Sequence, residues 1–433
     1  MAAGVPRRRR TAVLLAVAVL LLAGPVGCAG AGREKGRTTT VTVGTFGVFG
    51  YRQAGLYAEY ERLHPGVRIR EEVVERNDTY YPQLLTRLAA GRGLADVQAL
   101  EVGNVHELAA ERGEKFEDLS RAPGVRRSDW LPWKWAQATT PDGRTIGLGT
   151  DIGPLAVCYR KDLFRRAGLP TGREEVGRLW AGDWRAYLAA GRAYRRHAPA
   201  GTVFTDSAAG LYNAAVHAHA ERYYDRAGHP LLTNGPAVRS SWDLAVRAAR
   251  DGLTARLRQF EKNWDQAFAN GRFATVACPP WMLGYMQEKS GPAGRGRWDV
   301  AAAPRPASWG GSFLAVPKAA RHRKEAVDLA VWLTAPAQQA RLFERQGSFP
   351  STPASYAMPQ LARARNPYFG DAPIGPLFAA AARGAPTLVF GPREQQIGAA
   401  FTDVGIPQVE QQGRSPRAAW AAARREIENA VDE

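Results

Sequence analysis

The sequence predicts an α/β fold in two lobes, each a β-sheet covered by helices. Three observations carry this. Residues 40–102 read as strand, helix, strand, helix, strand, the order that builds a parallel sheet with helices on its faces and places ligands at the carboxyl ends of the strands. A second alternating series runs from 145 to 304, and a strand-like return at 312–318 precedes a long helical stretch. The chain has 433 residues, 45% hydrophobic and 23% charged, which is enough for a real core and more than one compact core usually holds.

The elements follow in order. "TVTVGTFG" (40–47) alternates threonine with valine as a strand does. Leu56, Tyr57, Tyr60 and Leu63 recur at helical spacing, and "HPG" stops that helix. "VRIREEVVE" (67–75) is the next strand. "TYYPQLLTRLAAGRG" (79–93) is a helix with a threonine cap and a glycine end, and "ADVQALEV" (95–102) is the third strand. "TIGLG" (145–149) and "PLAVCYR" (154–160) are strand-like and meet around "TDIG". "KDLFRRAGLP" and "DWRAYLAAGRAYRRH" (183–197) are helical. "GTVFTD" (201–206) is a buried strand that leads into a helix of small residues. "SWDLAVRAARDGL" (241–253) is a helix with a serine cap. "NWDQAFANGR" (263–272) is a helix ending at Gly271, followed by the strand "FATVAC". "WDVAAAP" (298–304) and "SFLAVPK" (312–318) are strands. A helix over 322–347 breaks near Pro336, and a final helix over 414–433 is capped by Ser415.

The N-terminus is predicted to lie outside the fold. Four arginines at 7–10, an apolar run at 11–27 and then Cys28 form a secretory signal. "VGC" resembles the end of a bacterial lipoprotein signal, in which the cysteine becomes the lipidated first residue. Pro25 stands where leucine is usual. The polar stretch after Cys28 reads as a tether. Cleavage before Cys28 removes four arginines and no acid, taking the formal charge from +17 to +13. The arginines are scattered, with no single aromatic-laced stripe, so no nucleic-acid partner is expected.

Several chemistries are absent from the pattern. No phosphate-loop lysine, CxxC, HExxH or GxSxG occurs, so neither a cofactor nor a metal is expected. His217 and His219 point in different directions on a helix. Three cysteines exclude a disulfide-rich scaffold. The twelve tryptophans are the stronger signal. Trp281 follows two prolines that block a helix, Trp309 precedes Gly310 and Gly311, and Trp264 opens the helix before the Trp281 segment. A pyranose offers an apolar C–H face to such rings, while its hydroxyls require carboxylates and amides.

In order along the chain, "VTVGTFG", "YAEYERLHPGVRIREEVVE", "YYPQLLTRLAAGRGLADVQALEV", "TIGLGTDIGPLAVCYRKDLFRRAGLP", "AFANGRFATVACPPW" and "GGSFLAVPKAARHRKEAVDLAVWLTAPAQQARLFERQGSFPSTPASY" resemble the extracellular solute-binding proteins of bacterial ABC importers. The likeness is to their sugar-binding, maltose-binding-protein-like group, and it covers nearly the whole mature chain. The resemblance implies a two-lobe periplasmic-binding-protein-like α/β fold with a ligand cleft between the lobes. It implies a signal peptide over 1–27 and a tether over 28–37. Lobe one spans 38–150 and continues at about 312–355. Lobe two spans 151–311 and continues at about 356–433. It also implies a carbohydrate ligand, an ABC permease partner, membrane attachment through lipidated Cys28, and no catalysis.

The same resemblance nominates cleft residues. Thr45 and Phe49 lie on the loop after the first strand, with Phe46 as a core alternative. Glu101 at the end of the third strand is preferred for hydroxyl binding over Asp96, which begins that strand. Asp151 stands at the lobe crossing, where it can accept hydroxyl donors or cap a turn. Asp206 and Asn213 follow the "GTVFTD" strand. Trp264, Trp281 and Trp309 supply stacking faces, and Gly310, Gly311 and Ser312 form a crossing loop that admits close approach. Arg345 and Ser348 serve as scaffold or cleft edge. Cys158 and Cys278 can pair in an exported protein or remain buried thiols. Competing readings are a binding protein for another solute, a secreted glycoside hydrolase with two carboxylates flanking the scissile bond, and a cell-wall adhesin.

Overall fold

The computed structural model describes residues 38–432. The signal segment, the tether and Cys28 lie outside the described residues. The strands are β1 (Thr39–Phe46), β2 (Val67–Val74), β3 (Val97–Glu101), β4 (Gly147–Gly149), β5 (Asp151–Ile152), β6 (Ala156–Arg160), β7 (Val203–Thr205), β8 (Phe273–Cys278), β9 (Trp298–Ala302), β10 (Ser312–Ala315) and β11 (Phe349–Pro350). They form a five-stranded sheet ordered β2-β1-β3-β10-β4, a four-stranded sheet ordered β7-β8-β6-β9, and a two-stranded link of β11 with β5. Each larger sheet belongs to one lobe.

The first sheet is mixed, which corrects the expectation of a parallel one. β1 runs parallel to both β2 and β3, but β10 enters between β3 and β4 antiparallel to both. The alternation of side chains explains why β10 fits there. Leu314 and Val316 join Val41, Val43, Val97 and Ala99 on one face, under the helix Arg323–Leu333. Phe313 and Ala315 face the opposite side with Leu100, under the helices Asn77–Ala90 and Val102–Arg112. Both faces are covered, so an inner strand here is apolar on both sides.

The second sheet follows the same logic. β6 and β8 are buried along their whole lengths. Tyr159 and Val157 pack with Phe204 and the helix Trp184–Arg196 on one face. Cys158, Val276 and Trp298 pack on the other, with the helix Pro280–Ser290. Cys158 and Cys278 form a disulfide between the neighbouring strands β6 and β8, with Cα atoms 5.8 Å apart. A separate group of helices, Ala208–Val216, Pro236–Arg250 and Pro416–Asp432, closes around Tyr212, Trp242 and Phe401. The stretch 356–433, expected to continue the second lobe, sends Leu388 and Phe390 into the core of the first.

Helix ends show where local chemistry was readable. Asp183 caps Trp184–Arg196 by accepting from the Arg185 amide at 2.8 Å. Gly271 ends Lys262–Asn270 in the left-handed conformation. Three caps differ from expectation. The Asn77–Ala90 helix begins two residues before Thr79, with Arg76 in the capping position. Ser241 lies buried inside a helix that begins at Pro236. Pro279 and Pro280 do not block a helix but start one, since proline at the first helical position gives up only an amide with no intrahelical acceptor.

Candidate functional site

Three backbone segments pass between the two sheets. Residues 149–155 leave β4 for β6, residues 303–312 return from β9 to β10, and residues 347–352 carry β11. The first two run antiparallel. The Thr150 amide donates to the Ser312 carbonyl (2.9 Å), the Trp309 amide to Gly153 (2.7 Å), and the Leu155 amide to Ala307 (2.9 Å). β11 then pairs with β5, Phe349 opposite Ile152 and Pro350 opposite Asp151. The crossing is tight. A Cβ on Gly153 would lie 1.7 Å from the Trp309 carbonyl oxygen, and one on Gly311 (φ +117°) would lie 2.7 Å from the Asp151 carbonyl oxygen. Only glycine lets these backbones approach so closely.

On this glycine floor the structure brings together several of the expected residues. Asp151 accepts from the Ser312 amide (2.8 Å) and from the Thr150 hydroxyl (2.7 Å). Glu101, at the end of β3, caps the following helix by accepting from the Gly103 amide (2.5 Å). The Val102 amide donates to Gly311 (3.0 Å). Trp281 and Trp309 are half-buried and stand nearly perpendicular, their ring centroids 5.5 Å apart. A Cβ on Gly310 would come 3.3 Å from the Trp281 indole nitrogen. Phe49 is half-buried at the edge of the first lobe, its ring edge-on to Phe46 at 5.3 Å.

Other expected residues are placed elsewhere. Thr45 is fully enclosed within β1, so its hydroxyl presents no surface. Trp264 is also fully buried and packs edge-on to Phe268, a core ring rather than a stacking face. Asp206 is enclosed as well. It accepts from the Trp264 indole N–H (2.9 Å) and from the Gln259 amide nitrogen (2.7 Å), so its lone pairs are committed inside the protein. Burial raises the Asp206 pKa, against those donors. Asn213 is half-buried on its helix, and its carbonyl holds the His217 ring (2.7 Å). A hollow of about 880 Å³ lies among Asp183, Arg192, Arg239, Asp243, Arg247 and Arg305, between helices of the second lobe. It is a groove of surface charges and holds none of the nominated residues.

Two residues that the sequence pattern passed over lie against this cluster. Phe260 lies in an irregular stretch, its ring 6.2 Å from Trp281 and 6.3 Å from Trp309. Lys134 is fully buried beneath the crossing, its ammonium 3.7 Å from the Phe313 ring centroid and without a hydrogen-bond partner. In "PWKWAQ" it looks like an ordinary surface lysine. Burial brings its pKa down to about 7, against the opposing pull of Asp151 and Glu101. Burial likewise pushes the Glu101 carboxyl up to about 7, with the Gly103 amide and Lys134 pulling the other way and Asp151 adding to the rise.

A pH dependence follows. Between about 4.5 and about 7 the folded state keeps a proton on Glu101 that the unfolded chain releases. Stability therefore falls as pH rises through that window and takes no further change from Glu101 above it. Lys134 acts oppositely, since its depressed pKa makes stability rise from about 7 upward. Glu101→Gln should remove the first effect, at most about 3 kcal/mol. Thermal melts of both proteins at pH 5 and pH 7 check this. The wild type should lose stability relative to the variant, and parallel profiles would contradict the assignment.

The bacterial extracellular solute-binding protein family matches residues 55–367 of this chain. A crystal structure described as extracellular solute-binding protein family 1 is 42% identical, covers 90% of this chain and 99% of its own, and superposes with a TM-score of 0.82. An ABC transporter-associated binding protein from B. animalis subsp. lactis, solved with β-1,6-galactobiose, is 21% identical over 90% of this chain and 97% of its own. At a TM-score of 0.75 it shares the fold. The arabinooligosaccharide-binding protein of Bacillus subtilis is 23% identical over 73% of this chain and 74% of its own length. With two sheets joined by three crossing segments, and the family match spanning most of its length, the chain belongs to the bacterial extracellular solute-binding protein family.

Proposed function

We propose that this protein captures a carbohydrate outside the cytoplasm and hands it, chemically unchanged, to an ABC permease. The observation that carries the reading is the pair of half-buried indoles, Trp281 and Trp309, set at a corner beside the Gly310–Gly311 backbone. Indole faces suit the C–H face of a sugar ring, and the glycines let the ring approach the backbone. Asp151 and Glu101 stand beside that floor to read hydroxyl positions. A hydroxyl left without its partner there costs about 1–3 kcal/mol, enough to separate epimers. Sugar-named relatives such as the B. subtilis arabinooligosaccharide-binding protein support the same ligand class.

The remaining parts of the reading are consistent with the sequence. Lobe one takes 38–150 and about 312–355, and lobe two takes most of the rest. Ligand favours a closed arrangement of the two, pivoting on the crossing segments. Cys28, lipidated, tethers the protein to the membrane.

Tryptophan fluorescence tests the ligand class, because two indoles line the site. Emission of the mature protein is followed during titration with mono- and oligosaccharides, and separately with polyamines, peptides and inorganic phosphate. A saturating change with a sugar is expected. A saturating change with a non-sugar alone would overturn the reading.

A further inference from the structure

The hollow of about 880 Å³ in the second lobe lies between the helices Trp184–Arg196 and Pro236–Arg250, and none of its lining residues belongs to the glycine floor or the indole pair. Five arginines line it against two aspartates. Among the described residues, Arg185, Arg247 and Arg305 are exposed and pair with no carboxylate, whereas Arg192 is held by Asp251 at 3.3 Å. The Arg239 guanidinium lies over the Trp420 ring, 3.8 Å from its centroid, which keeps that charge in place.

Two further features favour an anion there. Both helices present their first turn to the hollow, one through Trp184 and Arg185 and the other through Pro236. They run the same way, since Arg192 near the end of one pairs with Asp251 at the end of the other, so two positive helix ends converge. Asp183 caps the first by accepting from the Arg185 amide (2.8 Å), and the second has no side-chain cap. The Trp184 indole N–H and the Ser241 hydroxyl also belong to the lining. These residues are 6% and 2% exposed, and neither polar group has a hydrogen-bond partner among the described residues. Enclosed donors ordinarily have an acceptor.

We propose that this hollow is a second ligand site, separate from the inter-lobe cleft, which holds the phosphate monoester of a small polyol. Such a phosphate carries three acceptor oxygens and close to two charges, so it takes more than one guanidinium fork, whereas a carboxylate is filled by one. The volume falls in the range of about 300–1,000 Å³ usual for organic ligands and is too large for a bare phosphate. Leu188, Ala215 and Leu244 supply an apolar wall for the carbon body. Asp243 is exposed, pairs with no cation among the described residues, and is left to accept a hydroxyl. A free ester keeps its hydroxyls, while phosphatidic acid offers the same phosphate on a lipid. The site shares no residue with the sugar reading of the cleft and stands without it.

The test titrates the mature full-length protein calorimetrically, at low salt, with glycerol 3-phosphate, inorganic phosphate and glycerol, and sediments it with phosphatidic acid vesicles. One saturating site for glycerol 3-phosphate is expected, tighter than for inorganic phosphate, with no heat from glycerol. Arg247→Gln and Arg305→Gln should each weaken the ester about tenfold. Arg247→Lys keeps the charge but not the fork, and should not restore the affinity. Arg62→Gln, the same charge loss on an exposed helix position of the first lobe, should leave it unchanged. Melting temperatures of all four variants should match the wild type, because the side chains are exposed. Vesicle binding without binding of the free ester, lost in the same two arginine variants, upholds the phosphate site and assigns it to a lipid. No saturation with the ester together with no vesicle binding overturns the site. So does an ester affinity that survives in both Arg247→Gln and Arg305→Gln, or one that Arg62→Gln weakens equally, since either traces the binding to another place or to the positive surface as a whole. Inorganic phosphate bound as tightly as the ester overturns the polyol ester as ligand.

Discussion

The double substitution Cys158→Ala with Cys278→Ala is expected to lower stability by about 3–5 kcal/mol. The two cysteines are 120 residues apart in sequence and bonded across β6 and β8. Closing a loop of that length removes unfolded-state entropy equivalent to about 5 kcal/mol, an upper figure that native-state adjustment and residual unfolded structure reduce. Both positions are fully buried, so each alanine also leaves a small void in the core around Val276 and Trp298. The loop encloses β7 and all the intervening helices of the second lobe, so the cross-link restricts most of that lobe when it unfolds. Denaturant unfolding of the oxidised wild type and the double variant measures the difference. Equal midpoints and slopes would show that the bond contributes nothing to equilibrium stability.

Trp281→Ala and Trp309→Ala should each weaken sugar binding by about 1–3 kcal/mol, and every 1.4 kcal/mol is a tenfold change in affinity. The two rings touch, with centroids 5.5 Å apart, so the double variant should lose less than the sum of the single losses. The variants should differ in stability. Trp309 packs against the cores on both faces of the second sheet, whereas Trp281 packs against one, so Trp309→Ala should melt at the lower temperature. Affinity that is unchanged in both single variants would remove the indole pair from the site.

How much of this was legible in the sequence varied with the range of the interaction. β8 and the helix ending at Gly271 were readable because an uninterrupted apolar run and a left-handed glycine are local signals. The antiparallel entry of β10 was hidden, since the direction of a strand depends on where the chain returns. β5 and β11 have two residues each, too few to show any periodicity. Pro279 and Pro280 were ambiguous because proline both stops and starts helices.

The site divided along similar lines. Trp281, Trp309 and the two glycines announced themselves as aromatic and flexible residues side by side. Trp264 has the same composition signal, but its burial depends on Phe268 and Asp206, contacts of which one is 58 residues away. Asp206 looked available because Gln259 and Trp264, its partners, follow 53 and 58 residues later. Phe260 carried no pattern at all, and only its backbone angle and ring neighbours reveal it. Lys134 needed the crossing of three segments to become a buried charge.

Calorimetric titration of the mature protein with an oligosaccharide, followed by chromatography of the sugar recovered after long incubation, bears on the whole reading at once. One saturating site per chain and a sugar returned at its original length are the expected results. No heat of binding with any sugar, or a shortened product, would contradict a receptor that holds its carbohydrate in the inter-lobe cleft and releases it intact.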